Sequence, residues 1–208
     1  MEKFFNTINP VADFIVRLFD LIILSILWLI CCLPIITIGT STAAMYYVTM
    51  KMVRNEDNGI IRCFFRSFKA NMKQGIIISL LFTIAGILLY FDWIFAFAVD
   101  GVLGFILRIL FVVLTLLLSM VVVFTFPLQA RFRNTMLNTL KNALLLAVNN
   151  FKNTMVAVFM HLLPVLVFFV APDLFYKALP LWAFVAPASI AYLWSLCVVK
   201  IFTSLEQT

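Results

Sequence analysis

One histidine lies inside an apolar stretch, where an ionisable side chain could do chemistry. His161 stands in the run MHLLP, near the middle of an apolar segment and three residues before Pro164. Ionisable groups in such segments often belong to proton relays or transport pathways. A relay also needs acidic partners at a similar depth, and none is visible in the neighbouring apolar stretches. The alternative is a neutral imidazole that bonds a carbonyl freed by Pro164 or reaches another helix.

Arg108 is the second such candidate. It lies less than two helical turns from the start of the apolar segment Val102–Phe126. A role in transport is one interpretation of an arginine at this position. The structural alternative is that its side chain reaches the membrane surface or pairs with Asp92 or Asp100.

Other catalytic patterns are missing from the sequence. It contains no G-x-x-x-x-G-K-[ST] loop, no H-E-x-x-H and no G-x-S-x-G, and its single histidine leaves nucleophile–base catalysis poorly provided for. The four cysteines, Cys31, Cys32, Cys63 and Cys197, show no C-x-x-C or Cys/His spacing. We therefore predict a protein that is not an enzyme, with no cofactor, no metal site and no structural disulfide.

The composition is typical of a membrane protein. The chain has 208 residues, of which 65% are hydrophobic and 12% are charged, and its mean hydropathy is +1.14. Soluble domains are about 45–50% apolar and about 25% charged, so lipid is the expected solvent. The net charge of +6 is small for a nucleic-acid-binding protein, and we predict no nucleic-acid partner.

Six apolar segments are candidate membrane spans. They are Phe14–Leu33, Ile36–Val53, Gly75–Phe97, Val102–Phe126, Thr154–Val170 and Leu181–Ile201. We expect the first to be retained and not cleaved as a signal peptide, because charged residues precede it and no A-x-A-like site follows. The sequence thus predicts one all-α, polytopic membrane domain over residues 1–208, with about six transmembrane helices.

Lysine and arginine predict the orientation. Ten of them lie in the two polar segments, 51–73 and 129–152, whereas the opposite connections carry Asp92, Asp100 and Asp173 with Lys177. The positive-inside rule places both polar segments, and both termini, in the cytoplasm. The expected location is a cytoplasmic membrane, with the lipid bilayer as the first partner.

The second candidate span is short. A helix from residue 34 to 51 would cover about 26 Å, less than the ~30 Å hydrocarbon core, so whether Ile36–Val53 crosses the membrane is open. We expect a hairpin with the first span, whose uncharged tip lies shallowly in the outer leaflet. Non-helical backbone at that depth must be buried in protein or line a wet cavity.

The tip contains a compact motif. Pro34 can end the first helix, Thr40 is a suitable helix cap with its neighbouring hydroxyls, and Gly39 and Ala43 form a small-xxx-small pair. The functional interpretation is that free amides at the helix start receive an anionic or sugar-like ligand. The structural interpretation is a tightly packed, capped hairpin.

The segment 59–73 is amphipathic. Its cations Arg62, Arg66, Lys69 and Lys73 fall within about 60° of one another on a helix. Its apolar residues, which include Phe64, Phe65 and Phe68, cluster on another face. One interpretation is a helix lying in the membrane interface, with the cations toward anionic headgroups. The alternative is a helix that docks a cytosolic partner.

Several motifs together resemble those of the YesL family of bacterial membrane proteins. The first runs WLICCLPIITIGTSTAAMYYVTMKMVR and is followed by FFRSFKANMKQG, with FPLQARF and LKNALLLAVNNFKNT later in the chain. The positions that match the family pattern are Trp28, Leu33, Pro34, Thr37, Gly39, Ala43, Phe64, Ser67, Phe68, Lys69 and Asn71. Thr40 is a departure, since a second proline is more usual there.

The resemblance implies an integral membrane protein of a family often encoded beside carbohydrate importers of the ABC type and sensor kinases. The leading hypothesis is a non-catalytic accessory or regulatory subunit, whose partners would be an importer permease, its ATPase or a sensor kinase. The other hypothesis is a small stand-alone transporter or channel, which we would expect to be a homo-oligomer.

Overall fold

In the computed structural model, which describes residues 10–56 and 59–206, the chain is a bundle of α-helices with no strand among those residues. The longer helices are α1 (Pro10–Cys32), α2 (Ile38–Val53), α3 (Ile60–Ala98), α4 (Gly101–Arg131), α5 (Met136–Asn149), α6 (Phe151–Val170) and α9 (Ala186–Glu206). A short 3-10 helix, Ile35–Thr37, precedes α2, and two six-residue helices, α7 (Pro172–Lys177) and α8 (Leu179–Phe184), connect α6 to α9. The predicted all-helical, polytopic membrane fold is confirmed.

The helix α2 is the centre of the bundle. It packs against α1, α3, α4 and α9, most extensively against α3. Eleven of its sixteen residues are buried, among them Ala43, Ala44 and Val48, which have no exposed surface. Most of these side chains are small, so the surrounding helices approach α2 closely.

One end of the bundle collects charged side chains. Arg17 of α1 donates to the Met52 carbonyl (2.8 Å) and to Oδ1 of Asn55 (2.6 Å) at the end of α2. Arg131 of α4 forms a bidentate ion pair with Glu206 at the end of α9, with the closer oxygen at 2.8 Å. The starts of α1 and α3 therefore share one end of the bundle with the ends of α2, α4 and α9. We call this the charged end; the predicted cytoplasmic termini themselves lie outside the described residues.

Helix lengths separate α2 from the other candidate spans. In the part of the chain that the structure describes, five helices are long and apolar enough to cross a membrane, namely α1, α3, α4, α6 and α9. The sixth candidate, α2, has 16 residues and is about 24 Å long, less than the ~30 Å hydrocarbon core. It runs from the tip back to the charged end, so the alternating direction of the helices is preserved.

The amphipathic segment 59–73 is not a separate helix. It forms the first part of α3, which continues for 39 residues, or about 58 Å. No proline separates the basic part from the apolar part that follows, and Gly75 is accommodated within the helix. The predicted span Gly75–Phe97 is thus the second part of a longer helix.

The distal part of α3 forms a hairpin with the first part of α4, and its outer surface is almost wholly apolar. Phe91 and Phe95 are 61% and 59% exposed, and Val102 and Phe105 are 77% and 62% exposed. Such a surface is unfavourable in water and is typical of helices that contact lipid. The folded chain therefore presents an apolar surface to lipid, as its composition predicted.

Candidate functional site

The hairpin motif is held together by hydroxyl groups. The helix α1 ends at Cys32, before Pro34, and its last carbonyls have no partner within the helix. Oγ1 of Thr37 and Oγ of Ser41 both donate to the carbonyl of Cys31, at 2.6 and 2.9 Å. These hydroxyls therefore satisfy the end of α1, whereas the sequence predicted that residues 40–42 cap the start of α2.

The start of α2 is buried in close contact with α3. Gly39, Thr40 and Ala43 are buried. The Gly39 amide donates to Oγ of Ser79 (3.3 Å), and Thr40 Oγ1 donates to the Met72 carbonyl (3.4 Å). The Gly39 amide therefore already has a protein partner, and this end of α2 is packed against α3 as in the structural interpretation.

The same contacts place the tip at the level of Lys73, so two of the predicted depths conflict. The tip lies beside residues 72–79 of α3, and Lys73, which the charge pattern placed in the cytoplasm, is in that stretch. A tip in the outer leaflet and a cytoplasmic Lys73 are incompatible in this structure. The physical reason is that α2, at about 24 Å, reaches back only as far as the start of the apolar part of α3.

The first part of α3 has a buried side and a basic side. Cys63, Phe64 and Ser67 are buried, with Phe64 stacked on half-buried Phe68 at 6.1 Å between ring centroids. A helix lying in the membrane interface would turn its apolar rings toward lipid, but Phe64 has no exposed surface and packs inside the bundle. The opposite side exposes Arg62, Arg66, Lys69 and Lys73, together with Phe65. Within the described chain these four cations form no ion pair.

His161 ties α6 to α2. Its Nδ1 lies 2.7 Å from the carbonyl of Ala157, which requires a proton on Nδ1, and its Nε2 lies 2.8 Å from the hydroxyl of Tyr46. In this neutral tautomer the Tyr46 hydroxyl donates to Nε2. Both ring nitrogens thus have partners, one on the same helix and one on α2, and neither contact involves the carbonyl that Pro164 frees.

Arg108 closes the turn between α3 and α4. Its Nε donates to the carbonyl of Ala96 (3.2 Å) and its Nη2 to that of Val99 (3.4 Å), and its guanidinium lies 5.2 Å from the Phe97 ring centroid. These carbonyls belong to the end of α3, where a cation is favoured by the helix dipole. No ion pair joins Arg108 to Asp92 or Asp100, both of which lie in the described chain.

A polar cleft near the charged end was not predicted. It has a volume of about 780 Å³ and lies between α3 (residues 66–74), the end of α4 and the connection to α5. Its polar lining comes chiefly from Arg66, Asn71, Gln74, Gln129, Arg131 and Arg133. The signal that could have indicated it is the run QARFRN at 129–134, where two arginines and two amides follow an apolar span.

The cleft is held by polar contacts between its walls. Nε2 of Gln129 donates to the carbonyl of Asn71 (3.4 Å), joining α4 to α3. Nε2 of Gln74 donates to Oγ1 of Thr139 (3.2 Å), joining α3 to α5. Two other buried polar atoms, Oε1 of Gln129 and Nη1 of Arg131, have no hydrogen-bond partner among the described residues. The walls of the cleft are therefore joined by hydrogen bonds, and two of its polar atoms remain without a hydrogen-bond partner among the described residues.

Among the described residues, no group of three or more His, Cys, Asp or Glu side chains is placed to hold a metal ion. The helices and their lipid-facing surfaces define the class of protein: this is a polytopic helical membrane protein.

The comparisons with known proteins agree with the sequence motifs. Residues 21–93 match the family described as protein of unknown function, DUF624. The chain is also similar to the uncharacterized protein YesL of Bacillus subtilis (strain 168), with 29% identity over 128 residues, which are 61% of this chain and 60% of that protein. These matches confirm the resemblance to YesL. They span less than two thirds of the relative, and no solved structure matches the chain.

Proposed function

We propose that the protein is a non-catalytic accessory or regulatory subunit of the bacterial inner membrane, which docks an importer of the ABC type for carbohydrates or its sensor kinase. The observation that carries the proposal is the basic side of α3. Four cations, Arg62, Arg66, Lys69 and Lys73, are exposed along about three turns of one helix and have no carboxylate partner in the described chain.

The rigidity of this basic side supports docking. The other side of the same turns is buried at Cys63, Phe64 and Ser67 against the bundle, so the cations keep a fixed spacing. A fixed row of cations is complementary to an acidic protein surface and speeds association with it. At about 58 Å, α3 is also far longer than the ~30 Å hydrocarbon core, so part of it extends into water.

The proposed orientation follows from charge. The charged end carries Arg17, Arg54 and Arg131, and the basic side of α3 begins there. By the positive-inside rule this end faces the cytoplasm, where an importer ATPase or the catalytic part of a kinase would be reached.

Co-purification from native membranes tests the proposal. The tagged full chain should recover permease, ATPase or kinase subunits, identified by mass spectrometry. The triple variant Arg62→Glu, Lys69→Glu and Lys73→Glu should reduce that recovery at least about tenfold, since like charges directly opposed are repulsive. The matched control is Lys141→Glu with Lys152→Glu, which changes exposed cations on α5 and α6 and should leave recovery unchanged.

Two outcomes would contradict this function. One is the recovery of none of these subunits with the unaltered chain. The other is equal recovery of these subunits with the triple variant. That result would favour the interfacial interpretation, in which the basic side contacts anionic headgroups.

The alternative function, a stand-alone transporter or channel, has less support. It was motivated by His161 and Arg108, and both side chains are engaged by protein groups, Tyr46 and the carbonyls at the end of α3. Liposomes that contain the purified chain, homo-oligomeric or not, and show flux of sugars, ions or protons would restore it.

A further inference from the structure

The polar cleft near the charged end carries an inference that goes beyond docking. Its lining includes three arginines and, among residues 10–56 and 59–206, no carboxylate. Arg66 and Arg133 are exposed and form no ion pair within the described chain, whereas Arg131 is paired with Glu206. Two full positive charges therefore face a concave surface without neutralisation, which is the electrostatic setting of an anion site.

Arg131 adds a directed donor. Its Nε and Nη2 are used by the two carboxylate oxygens of Glu206, at 3.1 and 2.8 Å. This bidentate pair fixes the plane of the guanidinium, which leaves Nη1 buried and without a partner. Buried donors in native proteins nearly always have a partner, so a ligand oxygen is an expected one.

Gln129 supplies the complementary acceptor. The residue is 3% exposed and lines the cleft, its Nε2 is used by the Asn71 carbonyl, and its Oε1 has no partner. An oxygen acceptor cannot be satisfied by an anionic oxygen; it needs a hydroxyl or an N–H group. A ligand that satisfies both atoms therefore carries negative oxygen atoms and a donor.

The start of α5 reinforces the preference for an anion. Thr135 lines the cleft and accepts from the Asn138 amide at 3.4 Å, so α5 begins at the cleft. The first amides of a 14-residue helix carry a partial positive charge in addition to the arginines.

We propose that this cleft binds a phosphate ester of a polyol, of the glycerol phosphate type, with the phosphate at the arginines and a hydroxyl at Gln129. This chemistry has two sources, the headgroup of phosphatidylglycerol and a free polyol phosphate. The position of the cleft is compatible with both: the apolar part of α3 begins directly after Gln74, and the apolar part of α4 ends just before Gln129.

Binding to the purified full chain in neutral detergent tests the site. The probes are glycerol 3-phosphate and ethyl phosphate in solution, and nanodiscs of phosphatidylglycerol or of phosphatidylcholine alone. We expect saturable binding of glycerol 3-phosphate, or a preference for phosphatidylglycerol nanodiscs, and either result supports the site while identifying its source. Arg66→Gln and Arg133→Gln should each weaken binding about tenfold, since each removes a charged hydrogen-bond donor.

Two variants complete the design. Arg62→Gln is the matched control, an exposed arginine one turn before Arg66 that does not line the cleft, and it should leave binding unchanged. Gln129→Met keeps the side-chain length but removes the acceptor, and it should abolish the preference for glycerol 3-phosphate over ethyl phosphate. Arg66 and Arg133 are exposed, so their variants test the site even where Gln129→Met does not fold.

The inference is overturned when neither form of the ligand binds, or when Arg62→Gln weakens binding as much as Arg66→Gln and Arg133→Gln together. The result is separate from partner docking, because the docking test changes Arg62, Lys69 and Lys73, none of which lines the cleft.

Discussion

The two halves of α3 have opposite surroundings. The core half, residues 60–79, buries Cys63, Phe64, Ser67, Gly75, Ile78 and Ser79. The hairpin half, residues 80–98, buries Ala96 and otherwise exposes large apolar side chains. One continuous helix therefore has its packing concentrated in its first half, although its second half is the more apolar.

This difference shows which interactions stabilise the helix bundle. In lipid, apolar side chains gain little by leaving the solvent, so helix association depends on close backbone approach and on polar contacts between helices. The core half has both, with Gly39 and Gly75 in contact and with serine and threonine hydroxyls bonded across helices. The hairpin half has two side-chain bonds with α4 in the described chain, from Trp93 Nε1 to Thr115 Oγ1 at 3.1 Å and from Arg108 Nε to the Ala96 carbonyl at 3.2 Å.

The largest effect is expected for Gly75→Ala. A Cβ at Gly75 would lie 2.6 Å from Oγ1 and 2.8 Å from Cα of Thr40, so α2 would have to move away from α3. We expect a loss of about 2 kcal/mol in the free energy of unfolding, in the range of overpacked cores. Unfolding of the full chain in mixed micelles with increasing SDS measures it.

Gly86→Ala is the matched control for Gly75→Ala, in the hairpin half of the same helix. A Cβ at Gly86 would meet nothing within 4 Å. Because alanine is the better helix former, this substitution should stabilise by about 0.5–1 kcal/mol. Equal destabilisation by Gly75→Ala and Gly86→Ala would show that the two halves of α3 are packed alike, contrary to our interpretation.

A second, smaller effect is expected for Tyr46→Phe. The substitution removes the hydroxyl that donates to Nε2 of His161 and leaves that nitrogen without a partner. Hydrogen bonds between helices in membranes contribute about 0.6 kcal/mol on average, with a maximum near 1.7, so we expect a loss of about 1 kcal/mol. Since this loss comes from the bond between Tyr46 and His161, Tyr46→Phe should cause no further loss of stability in a His161→Leu variant, which already lacks the bond.

The corresponding change in the hairpin half is Thr115→Val, which removes the acceptor of the Trp93 bond. Thr115 is exposed, so the expected loss is no more than about 0.5 kcal/mol. A larger loss for Thr115→Val than for Tyr46→Phe would reverse the order of the two regions.

Much of this architecture could be predicted from the sequence. The apolar runs indicated the long helices, and the small residues Gly39 and Ala43 indicated a face that another helix approaches closely. Their partner, Gly75, could not be identified, because the rise per residue gives the length of α2 but not the part of α3 beside it. For the same reason the sequence did not reveal that the tip and Lys73 lie at the same level.

The candidate site was harder to predict than the fold. The cations of α3 share a face through helical periodicity alone, and the structure places all four on the exposed side. The cleft depends instead on Asn71 and Gln129, which are 58 positions apart and meet only through the packing of α3 against α4. No local pattern encodes such a contact.

The smallest effect on global stability is expected for Arg108→Met, at the far end of the hairpin half. The substitution removes the donors to the carbonyls of Ala96 and Val99 while adding an apolar side chain that lipid accepts. These changes oppose each other, so the net loss should be within about 0.5 kcal/mol.

Local opening should nevertheless increase, because the end of α3 loses its cap. Hydrogen exchange should therefore accelerate at the amides of residues 97–104 and stay unchanged in α2. Faster exchange in α2 as well would show that the hairpin half and the core half are one cooperative unit.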